Sequence, residues 1–97
     1  MKTYELKFRR SALKEWRQLD STVRKQFLKK LAERLVTPHV ASARLSGMAD
    51  CYKIKLVASG YRLVYQVVDG EFVVLVIALG KREADEAYRK ARTRLGQ

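Results

Sequence analysis

Cysteine, proline and histidine each occur once in this 97-residue chain, and glycine only five times. A lone Cys51 cannot close an intramolecular disulfide, so no oxidising compartment is called for. His39 has no Cys or His neighbour at metal-ligand spacing and reads as a loop residue. So little Pro and Gly leaves no room for a linker, and no internal repeat is found. The longest apolar run is the eight residues Phe72 to Leu79, against the ~20 needed to span a bilayer. MKTYELKFRR at the N-terminus alternates apolar and polar residues and has no apolar core of a secretory signal. The expectation is a soluble, cytoplasmic protein with no membrane role. A Gly-rich phosphate loop, a paired carboxylate cluster and a Ser-His-Asp set are also missing, and neither a cofactor nor a metal is expected.

Acids are scarce too: 10 against 21 bases, a net charge of +11. Residues 1–50 carry +7 and residues 51–97 carry +4, so the excess is not a tail. Self-repulsion of this size opposes compaction, and a polyanionic partner is the usual reason to bear it. Nucleic acid fits, because each phosphate neutralised releases counterions. An acidic protein fits at this level as well.

Tyr4, Leu6 and Phe8 alternate with Glu5 and Lys7 and predict a short strand. Ser11 is a candidate cap for a helix carrying Ala12, Leu13 and Trp16. Asp20 or Ser21 can cap the next one. There Val23, Phe27, Leu31 and Leu35 recur every four residues among Arg24, Lys25, Lys29, Lys30 and Arg34, which predicts an amphipathic helix. Pro38 ends it, and residues 39–50 read as loop. Three β-rich stretches follow: Tyr52–Val57, Tyr61–Val68 and Glu71–Leu79. Asp69-Gly70 predicts a two-residue hairpin turn, and Ser59-Gly60 a weaker one. From Glu83 on, Ala84, Ala87, Tyr88, Ala91 and Leu95 form a last helical stripe. Its acids come first and its bases later, as the helix dipole favours. The expected fold is one α+β domain over residues 1–97, ordered β-α-α-β-β-β-α. It combines an antiparallel meander and an N-terminal strand with two helices on one face and a C-terminal helix near the other.

Two-residue turns would place Lys55 opposite Val64, Lys53 opposite Gln66 and Arg62 opposite Ile77. Lys53, Lys55 and Arg62 then share one face, since residues directly opposite point the same way. Ile54, Leu56, Leu63, Tyr65 and Val67 take the other. The C-terminal helix, mostly alanine on its apolar side, would cover the cationic face weakly. Strict alternation aims Lys81 at that face; a bulge at Gly80 would aim Arg82 there instead. Alternating lysines also deter edge-to-edge association of strands, but the shared register of Arg62 favours an anion site. Cys51, Trp16, Phe27 and Tyr65 read as packing residues, and Tyr88 either completes the helix stripe or reaches the cations.

The runs LSGMADCYKIKLVASGYRLVYQV and ALGKREADEAY, with SALKEWRQLDSTVRKQFLKKL, resemble the RelE toxin family of bacterial toxin–antitoxin systems over nearly the whole chain. The resemblance implies an endoribonuclease that cuts messenger RNA in the ribosomal A site. It also implies silencing by a RelB-like antitoxin, the pair reaching operator DNA only through that complex. Motif by motif, Lys53 and Lys55 look like the family's catalytic lysines, and Arg62 like its phosphate-contacting arginine. Arg82 matches the GKR arginine, and Tyr88 the C-terminal tyrosine used in catalysis or stacking. Lys81, Arg44, Lys29 and Lys30 are the further candidates for RNA contact. Ser46 departs from the family, whose close members carry an arginine before Gly-Met. Crowded cations disfavour one another's charge, so a lysine could serve as base: Lys53 or Tyr88 is the expected base and Lys55 the acid, with Arg62 and Arg82 stabilising the phosphorane. Two other readings stand beside this one: a ParE-like toxin that inhibits DNA gyrase, and a binding module for RNA or DNA without catalysis.

Overall fold

The computed structural model describes residues 3–96, so Met1, Lys2 and Gln97, at the ends of the expected 1–97 domain, lie outside the described residues, as does the Ala84 side chain. The elements run β1 (Glu5–Phe8), α1 (Arg10–Arg17), α2 (Ser21–Val36), β2 (Cys51–Lys55), β3 (Tyr61–Val68), β4 (Val73–Lys81) and α3 (Glu86–Arg94). The strands form one sheet in the order β1-β4-β3-β2, with β1 parallel to β4 and the other pairs antiparallel. This is the expected α+β order. No helix among the described residues is long and apolar enough to cross a membrane.

Two apolar layers flank the sheet. Ala12, Val23, Phe27 and Leu31 of the first two helices, with Leu19 from the turn between them, bury against Ile54, Leu63, Tyr65, Val67, Val74, Val76 and Leu79. Ala87 and Ala91 of α3 bury against Cys51, Val64, Ile77 and Ala78 on the opposite side, with Met48. Trp16 is only partly buried and leans on the first layer, 5.1 Å from Phe8 and 6.3 Å from Phe27 between ring centres. Strand β4 is apolar on both faces, which explains its unbroken run.

Helix α2 starts as expected: Asp20 accepts from the Thr22 amide at 3.2 Å, satisfying one orphan donor of the first turn. Helix α1 does not. Its cap is Arg9, in extended conformation and without a side-chain bond, rather than Ser11. The loop of residues 39–50 holds a short 3-10 turn at Ala41–Ala43 and a bridge between Arg44 and Tyr52.

The turns are longer than expected, and the register moves with them. Strand β2 ends at Lys55, and Val57–Gly60 form the loop, closed by Gly60 N–H to Leu56 O at 2.9 Å and Leu56 N–H to Tyr61 O at 2.9 Å. Gly60 takes φ +75°, a conformation costly for any residue with a Cβ. Lys55 therefore faces Arg62, and Lys53 faces Val64. At the next corner, Asp69–Glu71 make a 3-10 turn and Phe72 takes the left-handed conformation at φ 54°. Asp69 is held there by the Tyr4 hydroxyl at 2.6 Å and by His39 Nε2 at 3.0 Å. Each shift is by two residues, so the faces keep their membership.

Between Val64 and Tyr65 the pairing with β4 slips: Tyr65 faces Val76 but Val64 faces Ala78. Ile77 is the extra residue, so the bulge lies there and not at Gly80. It lets Ile77 and Ala78 both enter the α3 layer while Val76 and Leu79 enter the other. Beyond it the alternation is reversed: Lys81 pairs with Tyr61, and Arg62 with Gly80.

Helix α3 is not weakly held. A Cβ built on Gly80 would come within 2.5 Å of Glu86 Oε1 and 3.0 Å of the Ala87 nitrogen, so helix and strand pack closely here and a larger residue would have to displace the Glu86 side chain. Glu15 of α1 ties the same helix down. It accepts from Arg94 Nη1 at 2.8 Å and Nη2 at 2.9 Å, from the Leu79 amide at 3.1 Å, and pairs with Lys90 at 2.7 Å. Arg94 also donates to the Ile77 carbonyl at 2.9 Å.

Candidate functional site

Lys53 and Lys55 leave β2 on the α3 side of the sheet, two strand positions apart, about 7 Å at a rise of ~3.4 Å per residue. Arg62 is the partner of Lys55 on β3. The reversed alternation past Ile77 leaves Arg82 beyond Gly80, where its amide donates to the Gly60 carbonyl at 2.9 Å. Lys55, Arg62 and Arg82 then line one cleft of about 210 Å³, with Leu56, Val57 and Gly60. Half-buried Lys53 stands next along the strand.

Arg62 is the fixed member. Its guanidinium carbon lies 5.4 Å from the centre of the Tyr88 ring, and Nη1 is 3.5 Å from Asp85 Oδ1. A guanidinium stacked on an aromatic face keeps its edge free for a phosphate. Only 20% of the Arg62 side chain is exposed, against 68% for Asp85, so the carboxylate is the partner that solvent or a phosphate can draw away. Tyr88 both completes the α3 layer and reaches the cations. Burial raises the pKa of its hydroxyl, and the Arg62 charge offsets only part of that rise. The Tyr88 hydroxyl oxygen is buried and lacks a hydrogen-bond partner among the described residues. It is a proton holder at neutral pH.

The remaining candidates divide. Lys29 and Lys30 are exposed on α2 and border, with Lys55, Leu56 and Val57, a second groove of about 410 Å³. Lys81 lies on the other face of the sheet, its Nζ 5.8 Å from the centre of the Tyr61 ring. Arg44 is exposed opposite Tyr52, towards the far end of β2 from Lys55. Ser46 is exposed in the neighbouring loop.

Asp85, the carboxylate beside Arg62, is not legible in the sequence as part of this site, because it sits among acids placed for the helix dipole.

Cys51 takes no part. It is fully buried, and burial, aided by Asp50, pushes its thiol up to about 11. A disulfide reagent at pH 8 should therefore label the native protein about two orders of magnitude more slowly than the urea-unfolded chain. Comparable rates would show an accessible thiolate. Among the described residues no three His, Cys, Asp or Glu side chains gather as a metal-holding group.

Residues 6–86 match the family described as the ParE toxin of type II toxin–antitoxin systems, parDE. The chain is 58% identical over 92 residues to the mRNA interferase toxin RelE of Escherichia coli K12, covering 95% of this chain and 97% of that one. It superposes on a free E. coli RelE toxin bearing two arginine-to-alanine substitutions with a TM-score of 0.88 at 57% identity, over 96% of this chain and 98% of that one. The intact E. coli RelBE toxin–antitoxin complex contains a chain matched at a TM-score of 0.79 and 60% identity, over 80% of this chain and 95% of that one.

Proposed function

The chain belongs to the RelE/ParE family of type II toxin–antitoxin toxins, and from that premise we infer that it is an mRNA interferase, an endoribonuclease that cuts message in the ribosomal A site. A RelB-like antitoxin neutralises it, and operator DNA is reached only through that complex. Its place of action is the cytoplasm, where ribosomes translate, and residues 1–97 act as one toxin domain. The observation that carries this reading is the convergence of Lys55, Arg62 and Arg82 on one cleft, beside Lys53 and over Tyr88.

Cleavage begins with the ribose 2′-oxygen attacking the adjacent phosphorus. The O2′–P bond forms as the P–O5′ bond breaks, leaving a 2′,3′-cyclic phosphate and a 5′-hydroxyl. Lys53 accepts the 2′-proton. Between Lys53 and Tyr88 we assign this role to the lysine, because the Tyr88 hydroxyl oxygen is buried and its ring lies against Arg62. Lys55 delivers a proton to the leaving 5′-oxygen. Arg62 and Arg82, charged throughout, neutralise the phosphorane oxygens. Tyr88 supports Arg62 and offers its ring edge to a base. With no histidine in the cleft, the site depends on alignment of the message by the ribosome. Lys29, Lys30, Lys81 and Arg44 surround the cleft at a distance and suit ribosomal RNA backbone rather than the scissile phosphate.

The family description names ParE, so gyrase inhibition is the rival reading. The test is to induce the chain alone and map translated message by primer extension, beside a gyrase supercoiling assay. A-site breaks with normal supercoiling are expected. Intact message with blocked supercoiling would reverse the assignment, and intact message with steeply salt-dependent RNA binding would reduce the protein to a binding module.

A further inference from the structure

Strand β2 is an edge, and alternate carbonyls of an edge strand point away from the sheet with no ladder partner. The Cys51 carbonyl is taken by the Leu45 amide at 2.9 Å. Two residues on, the Lys53 carbonyl is taken by a side chain: Arg34 Nη1 donates to it at 3.2 Å. The same nitrogen donates to the Tyr65 hydroxyl at 2.8 Å, and the guanidinium carbon lies 5.6 Å from the centre of the Tyr65 ring. Tyr65 is fully buried and donates onward to the Pro38 carbonyl at 2.8 Å. Arg34 is thus fixed by a ring, a hydroxyl and the end of α2, and it grips the backbone at the residue assigned as the base.

We propose that Arg34 is a positioning residue for Lys53, acting through the peptide rather than on the RNA. Its guanidinium works from the α2 side of the sheet, where Tyr65 lies, while the Lys53 side chain departs on the α3 side with Val64. It therefore does not touch the phosphate cleft. It fixes the pleat and twist of an edge strand that β3 holds on one side only, and so sets where the Lys53 amine stands relative to Arg62. Misplacing a catalytic group by about 1 Å costs on the order of 100-fold in rate.

The proposal rests on Lys53 being catalytic, so the experiment separates the two. Single-turnover cleavage of ribosome-bound message is compared for the parent, Arg34→Ala, Lys53→Ala and the double variant, with rates corrected for folded fraction from urea unfolding. Arg34→Ala should cut the maximal rate by about 10- to 100-fold and leave the half-saturating ribosome concentration within about two-fold. In the Lys53→Ala background the same change should slow the reaction no further, the non-additivity expected of residues acting as a unit. Arg34→Lys, which can still donate to the carbonyl, should recover part of the rate. A maximal rate for folded Arg34→Ala equal to the parent's overturns the proposal, and so does a full additional loss in the double variant. A parent-like rate for Lys53→Ala overturns the assignment of the base itself.

Discussion

Alanine in place of Arg62 is expected to lower single-turnover cleavage of ribosome-bound message by about 100- to 1,000-fold, the usual cost of removing one preorganised donor from a developing oxyanion. Arg62 sits mid-sheet between Lys55 and Gly80, mostly shielded from water, with the Tyr88 ring on one side. The group is in place before substrate arrives, so little reorganisation is needed as the phosphorane forms. The loss should therefore appear in the maximal rate more than in ribosome affinity. Arg62→Lys should recover little, since an ammonium keeps the charge but neither stacks flat nor presents a fork. Arg82→Ala should follow the same pattern less severely, because Arg82 is exposed. A parent-like rate in Arg62→Ala would remove this residue from the chemistry.

The largest effect on stability is expected from Glu15→Gln. It would leave Arg94 and Lys90, whose side chains are 19% and 33% exposed, facing a neutral amide. Breaking a fully buried pair costs about 3–5 kcal/mol; partial exposure here reduces that to about 2–3 kcal/mol, read as a lower urea midpoint. Burial alone would raise the Glu15 carboxyl, but hydrogen bonds from Arg94, Lys90 and the Leu79 amide outweigh it and hold the pKa below its ordinary value. A carboxyl depressed in the folded state contributes its full stabilisation above the unfolded value, about 4.3. That contribution is lost as pH falls through the folded value. The parent should thus weaken from about pH 4 downward, and Glu15→Gln should flatten this part of the profile. An unchanged midpoint and an unchanged acid limb would show that the pairs contribute nothing. Because α3 carries Tyr88, the variant should also slow cleavage by loosening the platform beneath Arg62.

What could be read from the chain followed from local periodicity. Val23, Phe27, Leu31 and Leu35 announced α2, the β-rich runs announced the meander, and parity alone put Lys53, Lys55 and Arg62 on one face. Parity survived because both corner errors were of two residues. The turn lengths themselves were not legible: Asp69-Gly70 has the chemistry of a tight hairpin, yet Tyr4 and His39, 65 and 30 residues away in sequence, bind Asp69 and hold a wider turn. The bulge at Ile77 was hidden for a related reason. A strand buried on both faces carries no alternation from which an extra residue could be detected. The resemblance to RelE toxins pointed to Arg82 where alternation pointed to Lys81, and Ile77 is the physical reason. The hold on α3 was missed because the helix looked poor in apolar residues, whereas its attachment is a carboxylate on α1 and a glycine on β4.

The sheet order places β1 beside β4, two strands far apart in the chain. During synthesis Glu5–Phe8 can find no ladder until Val73–Val76 have left the ribosome. Pairing across so long a separation is slow, because loop closure is costly before it is rewarded. A nascent chain therefore lacks both a central strand and the Arg62–Tyr88 stack until β4 and α3 have emerged.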